Sequence, residues 1–286
     1  LILSLAEVSL KKKMSGQNNK TIGILGCGWL GLPLAKHLVE LGFQVRGSTT
    51  QNIKLSTIEQ TGTQAFIVHC EEDACSGLAP FLTGLSILII NLPPGLRSNP
   101  NRRFDLVLQQ IQKEIIACGV EEVVFISSTS VYGQSCGLIT EETPTGAVTE
   151  SGKQLVSCEQ LLLKSTAFNT SIIRFGGLVG PNRHPVFSLA KRSQIDNPEG
   201  EINFIHLDDC IKMITRCVQS FKGNSLYNGV NPYHPSRKEY YTAMAKKAGI
   251  QLPPFTKQKG VSRIISSKKA ENDLKMRFIV ENLLTL

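Results

Sequence analysis

The sequence predicts an α/β fold, a doubly wound parallel sheet followed by a smaller C-terminal substrate or cap region. Three observations carry this expectation. Strand-length apolar runs alternate with helical stretches between residues 20 and 180. The cluster Gly26-Cys27-Gly28-Trp29-Leu30-Gly31 stands between the first apolar run and the first helical stretch. After Pro181 the alternation loosens into loops containing Pro and Gly, with short elements between them.

Composition bounds the function classes. A chain of 286 residues suits one large or two modest domains. The expected division is a sheet domain over 19–180 and a cap region over 181–286, partly interleaved with it. With 41% hydrophobic and 19% charged residues the chain is no disordered polyelectrolyte. No apolar run reaches the roughly 18 residues that cross a bilayer, so no membrane partner is expected. Eight cysteines without a Cys-x-x-Cys pair and five histidines without metal-ligand spacing lead to the expectation of a reduced, metal-free, cytoplasmic protein. Residues 1–18 begin with Leu and reach the first methionine at Met14. They are expected to be an upstream segment outside the fold, disordered or loosely helical.

The elements follow in order. Residues 21–25 form the first predicted strand, and Leu32, Leu34, Ala35, Leu38 and Val39 mark the helix after the glycines. A second strand is expected over 43–48, then strands over 64–68, 87–91, 123–127 and 171–175, with helices over 104–118 and 157–165 between them. Strand, glycine loop, helix, strand is the order a dinucleotide-binding loop requires. Gly26 permits the tight turn, Gly28 lets backbone approach a pyrophosphate, and Gly31 lets the helix pack close to the sheet. Trp29 and Leu30 complete the loop, and the helix start supplies N–H groups and a positive dipole end. The bland alternative is a tight βα turn with no ligand.

The second strand speaks to the choice of cofactor. A fold that selects NAD places an acidic side chain there to hold the ribose 2′-hydroxyl. Here the strand ends Arg46-Gly47-Ser48-Thr49-Thr50, with Thr49 at the acid position and Lys54 just beyond. Hydroxyls and cations with no carboxylate lead to the expectation of NADP, with NAD the less favoured cofactor. Leu92 and Pro93, just past the fourth strand, complete the candidate cofactor-binding set with Gly26, Gly28, Trp29, Leu30, Gly31, Arg46, Ser48, Thr49, Thr50 and Lys54.

The formal charge of +8 is concentrated in residues 237–277, which hold eleven Lys or Arg and three acids. Such a field attracts phosphate-bearing ligands or nucleic acid. Its alternative is a solvated helical face, and aromatics do not interleave with these charges as they do in nucleic-acid modules. No nucleic-acid partner is therefore expected.

Five segments, in order, carry a resemblance. They are the glycine loop 26–31; Ser127-Ser128-Thr129-Ser130-Val131-Tyr132-Gly133 with Glu141 to Pro144; Arg174-Phe175-Gly176-Gly177-Leu178-Val179-Gly180-Pro181; Ile205-His206-Leu207-Asp208-Asp209; and Tyr227-Asn228-Gly229. Together they resemble the extended short-chain dehydrogenase/reductase family, which includes nucleotide-sugar epimerases and dehydratases and is built on a Rossmann sheet. The glycine spacing, the Pro93-Pro94-Gly95 loop and the 203–209 stretch are most similar to its atypical YeeZ-like branch.

The resemblance implies a Tyr-x-x-x-Lys pair that exchanges a proton with a substrate hydroxyl as hydride moves to or from nicotinamide. The chain has tyrosines at 132, 227, 233, 240 and 241, followed four residues later by Cys136, Asn231, Arg237, Met244 and Ala245. No such pair exists in it. Aligned on Glu159, the family's register puts Ser151 at the tyrosine position and Leu155 at the lysine position; a shift of two pairs Thr149 with Lys153. An aliphatic hydroxyl is a poor proton donor or acceptor unless a neighbouring base assists it. Ser128 matches the family's substrate-orienting hydroxyl, and Tyr132 is the best-placed phenol, although a pocket-wall or packing role suits it better. The candidate catalytic set is thus Ser128, Tyr132, Ser151 and Lys153. Ser128 and the loop after residue 175 are expected to flank one cleft, with Arg183, Asn203 and His206 towards its rim or hinge.

The implied function is an NAD(P)-binding oxidoreductase or epimerase-like enzyme acting on a small hydroxylated or nucleotide-linked substrate, phosphate-bearing ones included. The alternative is a non-catalytic NADP(H)-binding sensor. The oligomeric state stays open.

Overall fold

The structure, a computed structural model, describes residues 20–258 and 260–286. The expectation for residues 1–18 lies outside the described residues. The chain opens with β1 (Thr21–Leu25), α1 (Gly31–Glu40), β2 (Gln44–Thr49), α2 (Leu55–Glu59) and β3 (Gln64–Ile67). A small hairpin, β4 (His69–Cys70) and β5 (Cys75–Ser76), precedes α3 (Leu78–Leu82), β6 (Ile87–Ile90), α4 (Phe104–Cys118) and β7 (Glu122–Ser128). Then come β8 (Gly137–Ile139), α5 (Glu150–Leu163), β9 (Asn169–Phe175), β10 (Gly177–Val179), α6 (Val186–Leu189), β11 (Phe204–His206), α7 (Leu207–Gln219) and β12 (Ser225–Gly229). The chain closes with α8 (Arg237–Ala248), β13 (Arg263–Ile265) and α9 (Lys268–Asp273).

The central sheet has seven strands in the order β12-β9-β7-β6-β1-β2-β3, the doubly wound parallel arrangement the sequence predicts. Its pairings from β3 to β7 are parallel, with Ile22 opposite both Val45 and Ile87, and Leu88 opposite Val123. Helices cover both faces of such a sheet, so inner strands are apolar throughout instead of alternating. Accordingly Ile22, Ile24 and all of Ile87 to Ile90 are fully buried.

The chain divides into two compact units. The first holds the described residues up to Ile126, with Ser157–Ser171 and Phe221–Asn224. In it, α4 turns Phe104, Val107, Leu108, Ile111 and Ile115 inward at helical spacing and stops at Gly119, whose φ of 69° is one that L side chains rarely adopt. The second unit holds Ser127–Val156, Ile172–Ser220 and Ser225–Leu286. Two short parallel pairings, β10 with β11 and β13 with β8, lie within it. Its core gathers Val179, Val186, Leu189, Ile195, Ile202, Tyr240, Tyr241, Met244 and Leu283.

The helix expected over 157–165 begins earlier, at Glu150. Ser151 and Gly152 are weak helix formers and hide the first turn from a pattern reading. Thr149 starts it: its Oγ1 accepts from Gly152 N at 3.1 Å, and its carbonyl accepts from Lys153 N at 3.0 Å.

Candidate functional site

The glycine loop follows β1 without a spacer. Gly26 has φ 108°, and its N–H donates to Ser48 Oγ at 2.9 Å while Asn91 Nδ2 donates to its carbonyl at 3.0 Å. A Cβ on Gly26 would stand 2.8 Å from the Asn91 carbonyl oxygen, and one on Gly31 would stand 2.2 Å from the Gly26 carbonyl oxygen. Both glycines are therefore demanded by the protein's own backbone. Gly28 is different, since a Cβ there would meet nothing within 4 Å. Its φ falls outside the left-handed region and it is exposed, so nothing in the chain itself requires a glycine. The space fits a ligand that must come closer than a side chain allows.

The helix start above it fits the same ligand. No side chain caps α1, and no acidic residue occupies its first turn. The positive end of the helix is thus left for an anion. Around it lies a cleft of about 350 Å³. Among the residues that line it are Gly26, Gly28, Ser48, Thr49, Thr50, Lys54, Leu92 and Pro93, which brings eight predicted cofactor residues into one place. Ser48 is buried as the loop's hydrogen-bond acceptor, whereas Thr50 and Lys54 are exposed. Gly31 acts through packing, and neither Trp29 nor Leu30 is among the lining residues, Leu30 being buried.

Two expectations need correction here. Arg46 does not face the cleft: its Nη1 donates to the carbonyls of Phe81 at 3.0 Å and Thr83 at 2.6 Å, and its guanidinium lies 5.6 Å from the Phe66 ring centroid. A guanidinium so held serves the end of α3 instead of a phosphate. Nor is the cleft free of carboxylates, because Glu71 lines it. The β4–β5 hairpin brings Glu71 in from beyond the third strand, where an inspection of the second strand finds no sign of it. Sequence reasoning also missed His69, Cys70 and Arg102 on the same wall. Arg102 is tied to the hairpin by a bond from Nη2 to the Cys70 carbonyl at 3.2 Å.

The candidate catalytic residues fall on two neighbouring turns, a Cβ on Gly152 standing 3.1 Å from the Ser130 carbonyl oxygen, but they differ in exposure. Ser128 ends β7, and its Oγ accepts from Ser130 N at 3.2 Å, starting the 3₁₀ turn Thr129–Tyr132. Tyr132 is wholly buried. Its hydroxyl donates to Asn228 Oδ1 at 2.7 Å, and the Arg174 guanidinium lies 4.8 Å from its ring centroid. Burial pushes its phenol above the ordinary range against the opposing pull of Arg174. A phenol locked in the core has no route to a substrate, so Tyr132 leaves the catalytic set. Ser151 is half-buried and Lys153 exposed in the first turn of α5, while Leu155 is buried. In the register aligned on Glu159 the lysine position thus falls on a core side chain, and in the register shifted by two it falls on the exposed Lys153.

A second cleft, of about 360 Å³, lies within the second unit, with Thr129, Gly177, Asn203, Arg237 and Arg263 among its lining residues. Neither Ser128 nor Arg183 lines it, and His206 instead caps α7, its Nδ1 accepting from Asp208 N at 3.3 Å. The guanidiniums come from Arg237 and Arg263, within the basic 237–277 stretch. Asn203 is a clamp for β13: Nδ2 donates to Arg263 O at 2.9 Å, and Oδ1 accepts from Ile265 N at 2.8 Å. Glu201 holds the same strand. Burial works against its ionised form, but bonds from Ser262 Oγ and Arg263 N keep its carboxyl below the ordinary range.

Among the described residues no group of His, Cys, Asp or Glu could hold a metal ion, and no helix is long and apolar enough to cross a membrane.

Over 260 residues the chain is 35% identical to Protein YeeZ of Escherichia coli (strain K12), covering 89% of this chain and 94% of that protein. Its structure superposes on a functionally unknown conserved protein from Silicibacter pomeroyi DSS with a TM-score of 0.76 at 20% identity, covering 93% of this chain and 96% of the other. It superposes equally on UDP-glucuronic acid 4-epimerase from Bacillus cereus, solved with UDP-glucuronic acid and NAD, with a TM-score of 0.77 at 19% identity and coverage of 93% and 96%. No model of a known family matches the chain. With its glycine loop on a doubly wound sheet, the chain belongs to the extended short-chain dehydrogenase/reductase family, the NAD-dependent epimerase/dehydratase-like group. Within that family it is a member of the YeeZ-like branch.

Proposed function

We propose that this chain is an NADP(H)-binding oxidoreductase or epimerase-like enzyme acting on a small hydroxylated or nucleotide-linked substrate. The observation that carries this reading is the cradle at Gly28, where a Cβ would meet nothing of the protein although its two partner glycines are forced by contact. A bound nicotinamide dinucleotide would supply hydride transfer. The loop backbone and the uncapped start of α1 would hold its pyrophosphate, with Leu92 and Pro93 on the wall. NAD in the Bacillus cereus epimerase supports a nicotinamide cofactor in general. The preference for NADP rests on this chain's Thr49, Thr50 and Lys54, with Glu71 as the opposing charge. A substrate bearing phosphate or carboxylate suits Arg237 and Arg263, which line the cleft and are each held there by a backbone carbonyl, Arg237 Nε donating to Asp196 O at 3.1 Å and Arg263 Nη1 to Gly133 O at 2.6 Å. Ser128 would orient a carbonyl or alcohol, and Ser151 with Lys153 would carry the proton in place of the absent phenol.

The test is a calorimetric titration of Gly28→Val with NADPH. Loss of binding in a protein that melts at the wild-type temperature is expected; unchanged affinity would move the cofactor elsewhere.

A second reading, a dinucleotide-binding sensor without catalysis, is favoured by one observation: Leu155, at the lysine position in the register aligned on Glu159, is buried in the core. Crystals soaked with NADPH separate the two. A side chain within hydrogen-bond reach of nicotinamide C4 supports the enzyme, and an apolar or occluded face supports the sensor.

A further inference from the structure

The β4–β5 hairpin sets two cysteines face to face. Cys70 and Cys75 are direct partners in the antiparallel register. Glu71 N donates to Ala74 O at 2.9 Å, so the Glu71–Ala74 pair closes the turn as a hydrogen-bonded pair. Pairs alternate along an antiparallel ladder, which makes Cys70–Cys75 a non-hydrogen-bonded pair with Cα atoms about 4.5 Å apart. That is the short end of the roughly 4.4–6.8 Å at which disulfides form. The other six described cysteines lie outside strands.

The pair is also chemically unequal. Cys70 is buried, whereas Cys75 is half-buried and open to a reagent. Its neighbour Cys70 draws the Cys75 thiol below its ordinary range against burial and the carboxylates of Glu114 and Glu71. The same pairing, together with burial, pushes Cys70 up. The more exposed Cys75 is therefore the attacking thiol and the buried Cys70 the resolving one.

The hairpin is anchored to the first turns of α4. Arg103 N donates to Glu72 Oε1 at 2.8 Å, Gln110 Nε2 donates to the Glu72 carbonyl at 3.1 Å, and Arg102 holds the Cys70 carbonyl. Cys70, Glu71 and Arg102 all line the first unit's cleft. A change at the cysteine pair is therefore felt at the cleft wall.

We propose that Cys70 and Cys75 are a reversible disulfide site on the wall of the dinucleotide cleft, closed by exchange with a low-molecular-weight disulfide and opened by thiols. The Cys75 thiolate attacks one sulfur of RSSR, forming a mixed disulfide and releasing RS⁻. Cys70 then loses its proton to the released RS⁻ and attacks the Cys75 sulfur, forming the Cys70–Cys75 bond and releasing the second RS⁻. The two released thiolates take up the two protons lost by the cysteines. Two protein thiols are thereby oxidised by two electrons, and RSSR is reduced to two RSH. Drawing the two Cβ atoms together turns the edge that carries Glu71 and so changes how the cleft receives its ligand. The effect on binding rests on the dinucleotide reading above, whereas the bond itself does not.

The full chain and its Cys75→Ser variant are each treated with oxidised glutathione, alkylated, digested and mapped by mass spectrometry, and NADPH affinity is titrated before and after. The wild type should yield a linked Cys70–Cys75 peptide that dithiothreitol opens, and its NADPH affinity should fall at least about threefold on oxidation. The variant should show no link and no change on oxidation. Both cysteines alkylated after oxidation, or a link with unchanged affinity, overturns the proposal. If the reduced wild type binds no dinucleotide, it is the cofactor reading that fails, and the peptide map alone then decides whether the disulfide site exists.

Discussion

The loop before α1 and the first turn of α5 both begin helices, and they treat the exposed N–H groups of a helix start in opposite ways. At α1 no side chain caps the helix and no acid sits in its first turn. At α5 Thr149 supplies the cap and Glu150 the favourable negative charge. A helix that leaves its positive end unanswered is shaped for an anion from outside. One that answers it internally is shaped for the fold, so any chemistry at α5 must come from its side chains alone. Those side chains are a half-buried serine, an exposed lysine and a buried leucine.

The largest expected effect tests the α5 side of this contrast. Positioned acid–base catalysis contributes typically 10²- to 10⁴-fold, so turnover of UDP-glucose or UDP-galactose should lie about that far below that of a relative carrying the tyrosine. Spectrophotometric or chromatographic epimerase assays on the purified chain measure it directly. Rapid turnover would show that Ser151 and Lys153 do more than a self-capped helix start leads one to expect.

The next effect contrasts two glycines of one loop. Gly31→Val places a Cβ on the Gly26 carbonyl oxygen, backbone against backbone, and neither can swing away. Overpacking of this kind costs typically 1–3 kcal/mol, and a clash this short should reach at least about 3 kcal/mol in denaturant unfolding. Gly28→Val, by contrast, should unfold at the wild-type denaturant concentration. If both variants lost stability equally, the space at Gly28 would belong to the fold and not to a ligand.

What the sequence made legible follows the same division. The glycine loop, the order of strands and helices and the span of α4 could be read because each depends on residues close together in the chain. Gly26 needs its φ, Gly119 ends α4, and the fully apolar β6 can only be an inner strand. The walls of the clefts could not be read, because they depend on where distant segments return. Glu71 enters by way of a two-residue hairpin turn, and Arg46 is drawn to the carbonyls of Phe81 and Thr83. No spacing rule ties either to the cofactor loop. Arg263 was visible only as part of a basic stretch, and its place on the second cleft depends on Asn203 and Glu201 clamping β13. The start of α5 was missed because its signal is one threonine ahead of a serine and a glycine.

A smaller effect measures how much that threonine contributes. Thr149→Ala removes the oxygen that accepts from Gly152 N. Loss of such a cap typically costs about 1 kcal/mol, read as a lower midpoint in urea with an unchanged slope. NADPH affinity should stay as it was. A fall in affinity without a fall in stability would tie the first turn of α5 to the ligand after all and erase the contrast with α1.

The smallest effect concerns Lys54 in the first cleft. Lys54 lies in the exposed 3₁₀ turn Asn52–Lys54 and lines the cleft with Thr49 and Thr50. A lysine in water is a mobile, well-hydrated charge whose attraction for a phosphate is weakened by salt. Glu71, which also lines the cleft, works against it. Lys54→Ala should therefore weaken NADPH binding only about threefold at low salt and less at high salt, while leaving NADH binding unchanged because NADH has no 2′-phosphate to lose. Glu71→Gln should shift the same ratio the other way by a similar factor. Direct titrations of both nucleotides with the wild type and the two variants give the four ratios needed. An equal loss for NADH on removing Lys54, or tighter binding of NADH than NADPH by the wild type, would overturn the preference for NADP. The uncapped start of α1 would then be left as the part of this cleft that recognises a dinucleotide, with no discrimination at its ribose.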